Sequence, residues 1–323
     1  MVRIGVVGSG FMAETHLEAY DGIDDAEVVA VTSPNTAASF VETHVPGADS
    51  FSSVEAMLDD ADLDAIDICS PTPTHRPVVE AAAERSIAVF CEKPIAGSLG
   101  DADAIAATVS DADITFMVGH VLRFFPQYEA IKETVEGGGI GSPGVGRARR
   151  LSPYPEWGHG NWYAEDSGGV LLDLVIHDFD FLRWTFGEVE RVFARRTRWE
   201  GAEHAHATLR FENGSVGYVE GSWALPPDEE LQSSIELAGD EGLIELGSND
   251  PALRISRAGE STAESPIAAD GYRRELAEFV DCVQTGETPS VGAAEATEAL
   301  RISLAAIQSA SRGAPVSLSE VGQ

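Results

Sequence analysis

Short apolar runs alternate with amphipathic stretches of helical periodicity through residues 1–120 of the chain. The runs have the length of buried strands and are separated by turn residues, which predicts strands alternating with helices. Such alternation is typical of a doubly wound parallel sheet, here of six strands. The pattern delimits five of these strands, Met1–Val7, Glu27–Thr32, Ala65–Cys69, Ile87–Cys91 and Ile114–Gly119, together with helix Pro77–Ser86, which has Thr74 as its cap, and helix Ser98–Ser110.

The pattern changes near Val121, where segments of alternating polarity replace the buried runs. They predict a large, mostly antiparallel open sheet, interrupted by one strongly apolar helix and followed by two more helices. We therefore expect an α/β protein of two domains, residues 1–120 and residues 121–323. The segments of the second domain are strands Arg147–Tyr154, Arg191–Trp199, His204–Phe211, Ser215–Ala224, Ser234–Ala238 and Leu243–Leu246, and helices Gly271–Gln284 and Ala293–Ser311.

Acidic side chains dominate the charge of the chain. Asp and Glu number 54 against 21 Lys and Arg, which gives a formal net charge of −33, while 43 % of the residues are hydrophobic. That apolar share is sufficient for packed cores, so the acids are expected to coat a folded surface. A field this negative repels nucleic acid and anionic lipid, and no apolar run reaches membrane-spanning length. Neither a nucleic acid nor a membrane is therefore an expected partner.

The cysteines and the first residues of the chain indicate the cellular compartment of the protein. The three cysteines, Cys69, Cys91 and Cys282, are odd in number and widely spaced, which suits reduced thiols and predicts neither a disulfide nor a zinc site. The chain enters a strand at once, without the pattern of a signal peptide. Both observations predict a cytoplasmic protein.

A glycine turn follows the first strand and precedes the first helix. In Gly8-Ser9-Gly10-Phe11-Met12-Ala13, Gly8 permits the tight turn and Gly10 lets a pyrophosphate approach the backbone at the helix N-terminus. This is the dinucleotide-binding pattern of a Rossmann domain. Ser33 ends the second strand where a ribose-binding acid or a phosphate-binding arginine is usual, so NAD and NADP both remain open. The absence of Lys and Arg between Val28 and Arg76 favours NAD.

In a parallel sheet, ligands bind beyond the carboxyl ends of the strands. The residues that follow the expected strands should therefore line one edge and contact a dinucleotide or its substrate. These residues are Gly8, Gly10, Phe11, Met12, Ser33, Ser70, Thr72, His75, Glu92, Lys93 and His120.

Lysine is almost missing from the chain. Lys93 and Lys132 are its two lysines, so arginine supplies the other basic side chains. A composition of this kind would place arginine wherever any cation serves, which indicates that Lys93 requires a compact ammonium group. The alternative is a surface lysine paired with Glu92, and the position of Lys93 at the ligand-binding edge favours chemistry.

A second informative stretch lies within the apolar helix of the second domain. Asp173, His177 and Asp180 interrupt it at spacings of four and three, which places them on one helical face. A carboxylate one turn from an imidazole fixes its tautomer and raises its basicity, as a general base requires. The alternative is a solvated polar stripe or an Asp–His pair that is satisfied in the core.

Other histidines and two tryptophans have weaker signals. His204 and His206 point to one side of a strand, which is compatible with a metal, but a solvated face is favoured. Trp157 and Trp162 could stack on a sugar ring or anchor a long loop. His16, with the remaining histidines His44 and His159, is expected at the surface, and no metal site is predicted.

Taken together, these motifs resemble the Gfo/Idh/MocA family of oxidoreductases, which includes glucose-fructose oxidoreductase and inositol dehydrogenase. The resemblance runs nearly end to end and rests on the glycine turn, Pro71–His75, Glu92-Lys93-Pro94, Arg123-Phe124 and the stretch from Gly168 to Asp180. It implies a Rossmann domain, a second α/β domain whose open sheet often forms homodimers or homotetramers, and an active site between them.

The resemblance also implies roles for individual residues. Lys93, Asp173 and His177 match the catalytic residues of the family, and the expected substrate contacts are Lys93, His120, Arg123, Trp157, Trp162, Asp173 and His177. The implied reaction transfers a hydride between a secondary hydroxyl of a sugar or polyol and NAD or NADP. Two alternatives use the same fold: an NAD-dependent glycoside hydrolase, and a dinucleotide-binding sensor without catalysis.

The excess of acids and the scarcity of lysine are typical of proteins from salt-accumulating halophiles, in which molar salt screens the repulsion between carboxylates. We therefore expect the melting temperature and the activity to fall steeply when molar KCl is replaced by dilute buffer. Thermal unfolding and turnover measured across a KCl series check this, and equal stability at both ends of the series would contradict it.

Overall fold

The structure is a computed structural model that describes residues 1–155, 167–199, 201–247, 250–265 and 269–322. Trp157 and Trp162, which were expected to contact substrate, lie outside the described residues, as does His159. The chain forms two compact units. The first unit is Met1–Phe124 with Asp270–Thr297, and the second unit is Phe125–Ala269 with Glu298–Gln323.

The first unit contains a parallel sheet of six strands among the described residues, in the order β3-β2-β1-β4-β5-β6. The chain moves outward in one direction from β1 to β3 and in the other from β4 to β6, which confirms the doubly wound fold. The third strand in sequence is short and polar, so the sequence has no apolar run there that would predict a strand. The strands are β1 (Val2–Val7), β2 (Ala26–Thr32), β3 (Asp49–Phe51), β4 (Ala65–Ile68), β5 (Ala88–Cys91) and β6 (Phe116–Val118).

Helices of the first unit follow most of these strands. Ser53 and Ser98 cap two of them, since each hydroxyl accepts a backbone N–H of the first turn. Thr74 is the N-cap residue of helix His75–Ala83, as expected, but its hydroxyl donates to the Pro71 carbonyl at 2.7 Å and does not cap a backbone N–H. The helices are Phe11–Tyr20, Ala37–His44, Val54–Asp60, His75–Ala83, Leu99–Ala112 and Gly271–Thr285.

The observed units differ from the expected split at residue 120 because one segment near the end of the sequence belongs to the first unit. Helix Gly271–Thr285 comes after the whole second sheet in sequence, yet it belongs to the first unit. It buries Leu276 and Phe279, and the Phe279 ring packs edge-on against Phe90 of β5 at 5.6 Å between centroids. An amphipathic pattern shows that a helix has a buried face, but it does not identify the surface which that face covers.

The second unit contains a sheet of nine strands among the described residues, in the order β14-β13-β12-β11-β7-β10-β9-β8-β15. Neighbouring strands are antiparallel except β7 and β10, which confirms the expected large, mostly antiparallel sheet. The strands are β7 (Pro143–Pro153), β8 (Val189–Trp199), β9 (Ala202–Phe211), β10 (Val216–Leu225), β11 (Gln232–Gly239), β12 (Gly242–Gly247), β13 (Asp250–Arg257), β14 (Glu260–Glu264) and β15 (Val316–Ser317).

Helices Pro126–Glu136 and Ile176–Phe186 belong to the second unit, whereas Ala293–Arg312 is divided between the two units at Thr297. A buried ion pair joins helix Ile176–Phe186 to the sheet. Arg150 of β7 donates to both oxygens of Asp178, at 2.8 and 2.9 Å, and both side chains are almost fully buried. Within the described part of the chain, every helix is too short or too polar to span a bilayer.

We expect Asp178→Asn to lower the free energy of unfolding by about 3–5 kcal/mol, because it leaves the Arg150 guanidinium buried without a counter-charge. Urea unfolding in molar KCl measures the change. Glu188→Gln is the matched control, because it breaks a similar two-bond pair with Arg183 whose carboxylate is half exposed. It should cost less than about 1 kcal/mol. Equal losses in the two variants would contradict this account of burial.

Candidate functional site

The glycine turn after β1 has the geometry that a dinucleotide requires. Gly8 has φ +118°, and a Cβ added there would lie 2.8 Å from the backbone oxygen of Cys69, so a larger residue does not fit. A Cβ added at Gly10 would meet no protein atom within 4 Å, which leaves open room in front of the backbone. Helix Phe11–Tyr20 begins directly afterwards, and its first N–H groups face that room.

A cluster of hydroxyl groups follows β2, where the ribose of a dinucleotide is usually bound. The Ser33 hydroxyl lies 3.0 Å from that of Ser9 and 2.8 Å from that of Thr36, and the Ser9 and Thr36 oxygens are 2.6 Å apart. The sequence predicted Ser33 alone. Thr36 follows Ser33 in the same loop, whereas Ser9 lies on a different segment and joins the cluster only when the turn after β1 packs beside the end of β2.

His75 joins the loop after β4 to the loop after β5. Its ring is buried, with Nε2 2.9 Å from the Ser70 carbonyl and Nδ1 3.1 Å from the Pro94 carbonyl. Burial lowers the pKa of His75, so the ring is neutral near neutral pH. Its observed role is to connect two loops, while the expected cofactor contacts of Ser70, Thr72 and His75 stay predictions.

Lys93 lies directly after β5, and its backbone is held by its neighbour. The Lys93 N–H donates to Glu92 Oε2 at 3.0 Å, and the Lys93–Pro94 peptide is cis. The other Glu92 oxygen faces Gly119, where an added Cβ would lie 3.1 Å from Oε1. The Glu92 side chain is therefore oriented toward the protein interior and the backbone of Lys93.

His16 was expected at the surface, and this expectation is wrong. Its ring is fully buried, and Nδ1 lies 2.8 Å from Asp67 Oδ2 on β4 and 3.3 Å from the Cys69 sulfur. The aspartate is inward-facing on a wholly buried strand, which is the signal that could have shown the need for a partner. Across the described residues, these three side chains are the one group with the ligand set and spacing of a metal site. Their atoms, however, bind one another, and burial raises the pKa of the Cys69 thiol, which disfavours the thiolate that a metal requires.

His120 and Arg123 follow β6 in a tight turn. Both are buried, and the Arg123 N–H donates to the His120 carbonyl at 3.1 Å. They therefore lie at the same edge of the sheet as Gly8, Ser33 and Lys93, as the parallel topology predicts. Their contacts with substrate stay predictions.

The stretch that carries Asp173 and His177 is not one continuous α-helix. Val170–Leu174 forms a π-type turn in which the Val175 N–H donates to the Val170 carbonyl at 3.0 Å, and an α-helix then runs over Ile176–Phe186. Asp173 and His177 are therefore not carried by one regular α-helix, and their placement on one face stays a prediction. Inserted turns of this type are frequent at functional sites. Asp173 and His177 are each half-buried.

The π-type turn is held by residues that the sequence did not reveal. Glu203 of β9 accepts the Val170 N–H at 3.3 Å and the Arg198 guanidinium at 2.6 Å. Gly169, with φ +74°, lies so close that an added Cβ would be 2.4 Å from an Arg198 nitrogen. Gly221 of β10 similarly makes room for the Val170 side chain. Glu203 faces inward by strand alternation, and an inward acid of this kind requires a partner.

The histidines of β9 face the opposite side of the sheet. His204 pairs in register with Ser222 and Thr197 on the neighbouring strands, and the exposed His206 pairs with Glu220. Within the described residues, the group with metal-ligand spacing does not include either histidine. The expected solvated face is compatible with this arrangement.

Two family profiles match the chain. One, described as the oxidoreductase family with an NAD-binding Rossmann fold, covers residues 2–120, and the Gfo/Idh/MocA C-terminal domain covers residues 128–245. The chain is 30 % identical to myo-inositol 2-dehydrogenase of Thermotoga maritima, covering 99 % of both proteins. It is also 30 % identical to D-xylose 1-dehydrogenase (NADP(+)) 2 of Haloferax volcanii, with 98 % of this chain and 100 % of the relative aligned.

Solved structures agree with these matches. A probable dehydrogenase from Thermotoga maritima superposes with a TM-score of 0.85 at 30 % identity, over 99 % of this chain and 100 % of the other. An oxidoreductase from Agrobacterium radiobacter in complex with NAD+, L-tartaric acid and magnesium superposes with a TM-score of 0.88 at 25 % identity, over 99 % of both chains. The chain thus belongs to the Gfo/Idh/MocA family of oxidoreductases with an NAD-binding Rossmann domain.

Proposed function

We propose that this protein is an NAD(P)-dependent dehydrogenase that oxidises a secondary hydroxyl of a sugar or polyol. The observation that carries the proposal is Lys93, one of two lysines, which is held by Glu92 at the carboxyl edge of the parallel sheet. Relatives named as inositol, apiose and xylose dehydrogenases support the same substrate class. The reduced cysteines and the acidic surface fit a cytoplasmic enzyme.

The residues at the glycine turn fit a dinucleotide. The close approach of Gly8 to Cys69, the open room at Gly10 and the helix N-terminus at Phe11 suit a pyrophosphate. The hydroxyls of Ser33 and its neighbours would face the adenosine ribose. They offer neither an acid for a ribose diol nor a cation for a 2′-phosphate, and the lack of Lys and Arg from residue 29 to residue 75 favours NAD. When bound, the nicotinamide supplies the hydride acceptor.

Side chains of this protein accept the proton and stabilise the negative charge that the reaction produces. His177 takes the proton of the reacting hydroxyl as general base. Asp173 orients the imidazole and accepts a hydrogen bond from the substrate. Lys93 stabilises the negative charge that develops on the substrate oxygen, an effect of several kcal/mol in a site that excludes water. A rigid Lys93 backbone reduces the reorganisation that this step requires.

We expect Lys93→Ala to lower kcat by about 10²–10⁴-fold while NADH binding persists, because the charge on the oxygen loses its cation. Lys93→Arg should also lose most activity, since a planar guanidinium does not replace a compact ammonium. Lys132→Arg is the matched control, because Lys132 pairs with Glu136 on a helix of the second unit and should retain activity.

The measurement is absorbance of reduced nicotinamide in molar KCl, across polyols, aldoses and sugar acids with NAD and NADP in parallel. Near-normal turnover by Lys93→Ala would contradict the proposal. Sugar cleavage without net NADH formation would identify the NAD-dependent glycoside hydrolase instead. Binding of NADH without turnover of any substrate in the panel would identify a sensor.

The open face of the second sheet is proposed as the surface of a homodimer or homotetramer. Tyr218 of β10 is 49 % exposed on this face, surrounded by Arg147, Thr208 and other outward side chains of the neighbouring strands. An exposed aromatic residue within a charged rim is typical of protein interfaces. Binding of a second copy of the protein to this sheet face would remove the aromatic surface of Tyr218 from water.

We expect Tyr218→Glu to convert an oligomer to monomer, because it places a new charge at the centre of that face. Light scattering coupled to size exclusion in molar KCl gives the mass of the native and variant proteins. Thr43→Glu, which adds the same charge on an exposed helix of the first unit, is the control and should leave the mass unchanged. A native monomer would contradict the proposed oligomer.

A further inference from the structure

A buried chain of ionisable groups runs through the first unit and ends at the backbone of Lys93. His16 lies at its centre. Nδ1 of the ring is 2.8 Å from Asp67 Oδ2, and Nε2 is 3.2 Å from Glu92 Oε1. The His16 and Asp67 side chains are fully buried, and that of Glu92 is 9 % exposed. The proposed reaction uses Lys93 but assigns no task to His16 or Asp67.

The charge state of His16 follows from its two neighbours. Burial works to lower the pKa of His16, but the Asp67 carboxylate raises it well above the ordinary histidine value. The ring is therefore an imidazolium near neutral pH. An imidazolium presents an N–H to each carboxylate, whereas a neutral ring would turn a lone pair toward one of them.

The remaining groups that face His16 do not add a competing charge. Glu275, from helix Gly271–Thr285, is fully buried, and burial followed by the charge of Glu92 raises its pKa well above the ordinary value. It is therefore protonated near neutral pH. Burial also raises the pKa values of Tyr20, on the helix of His16, and of Cys69, so both are neutral. The Tyr272 ring lies 6.1 Å from the imidazole.

Glu92 connects His16 to Lys93, because its carboxylate contacts both residues. One carboxylate oxygen, Oε1, forms an ion pair with the imidazolium at 3.2 Å, and the other accepts the Lys93 N–H at 3.0 Å. Both oxygens are therefore fixed, and the Lys93 backbone is held where the strand ends. His16 lies on helix Phe11–Tyr20, which begins at the glycine turn, so the same contacts connect the pyrophosphate-binding turn with Lys93.

We propose that His16 is a positioning residue of the reaction: its imidazolium bridges Asp67 and Glu92, and Glu92 in turn holds Lys93 in place beside the glycine turn. The inference rests on the proposed function, because it assigns a task to the support of Lys93. It adds a residue that touches neither substrate nor cofactor and acts through Glu92.

The first test is His16→Gln, measured in molar KCl with His44→Gln as the matched control. His44 lies on an exposed helix and pairs with the exposed Glu14, so the same substitution there should leave kcat unchanged. His16→Gln should lower kcat about 10- to 100-fold, the loss typical of residues that orient a functional group through a hydrogen bond. The dissociation constant of NADH and the substrate KM should change little.

A double-mutant cycle separates positioning from a general loss of structure. If His16 acts through Lys93, the variant with both His16→Gln and Lys93→Ala should be no slower than Lys93→Ala alone. Losses that multiply would overturn the inference, as would a folded His16→Gln enzyme with the native kcat. A Lys93→Ala enzyme with native turnover would instead overturn the proposed function together with this inference, so the two failures are distinguishable.

Two further measurements keep the inference testable where His16→Gln does not fold. Glu92→Gln keeps the shape of the side chain and an acceptor for the Lys93 N–H but removes the charge that pairs with His16. It should lower kcat about 10-fold or more, and native turnover would overturn the inference. Ring-nitrogen NMR of the native protein should show one buried imidazolium at neutral pH, absent in Asp67→Asn, because the Asp67 carboxylate raises the pKa of the ring. A neutral His16 ring in the native protein would overturn it.

Discussion

Charges that leave water must be paired, and the described residues of each unit include such a buried pair. In the first unit, the His16 imidazolium lies between the Asp67 and Glu92 carboxylates. In the second unit, the Arg150 guanidinium binds both oxygens of Asp178. An unpaired charge at any of these positions would cost several kcal/mol. The pairs therefore fix the mutual positions of the helices and strands that carry them.

These pairs also fix the segments that carry the proposed chemistry. Glu92 is followed by Lys93, and Asp178 is preceded by His177, so each buried carboxylate holds the backbone beside a reactive side chain. Lys93 and His177 are half-buried, whereas the carboxylate beside each is held in the core. The stabilising carboxylate and the proposed reactive side chain are therefore on adjacent residues, which is possible because successive side chains point in different directions.

The acidic surface and the buried pairs respond differently to salt. The formal net charge of −33 resides largely on exposed carboxylates, whose repulsion is screened by ions in solution. The buried pairs are screened much less than the exposed carboxylates. Salt is therefore expected to act on the stability of the whole chain rather than on the internal arrangement of the candidate site.

Much of the fold followed from local patterns. Alternation of apolar runs with helices defined the parallel sheet, the glycine turn defined its ligand-binding edge, and the scarcity of lysine singled out Lys93. These are local features, because strand length, turn residues and composition are read over a few neighbouring positions. The exception within the first sheet was Asp49–Phe51, whose short polar sequence carries no apolar signal.

Such local patterns could not predict the contacts between segments that are distant in the sequence. The pairing of His16 with Asp67 spans 51 residues, and that of Arg150 with Asp178 spans 28. A histidine in an amphipathic helix has the same local sequence whether it faces water or a buried acid, so its environment is set by what packs against it. The sequence by itself determined the family and the sheet, and it supplied the residues proposed as reactive. The tertiary structure alone decided which charges are buried together, because burial depends on the packing of segments that are far apart in the chain.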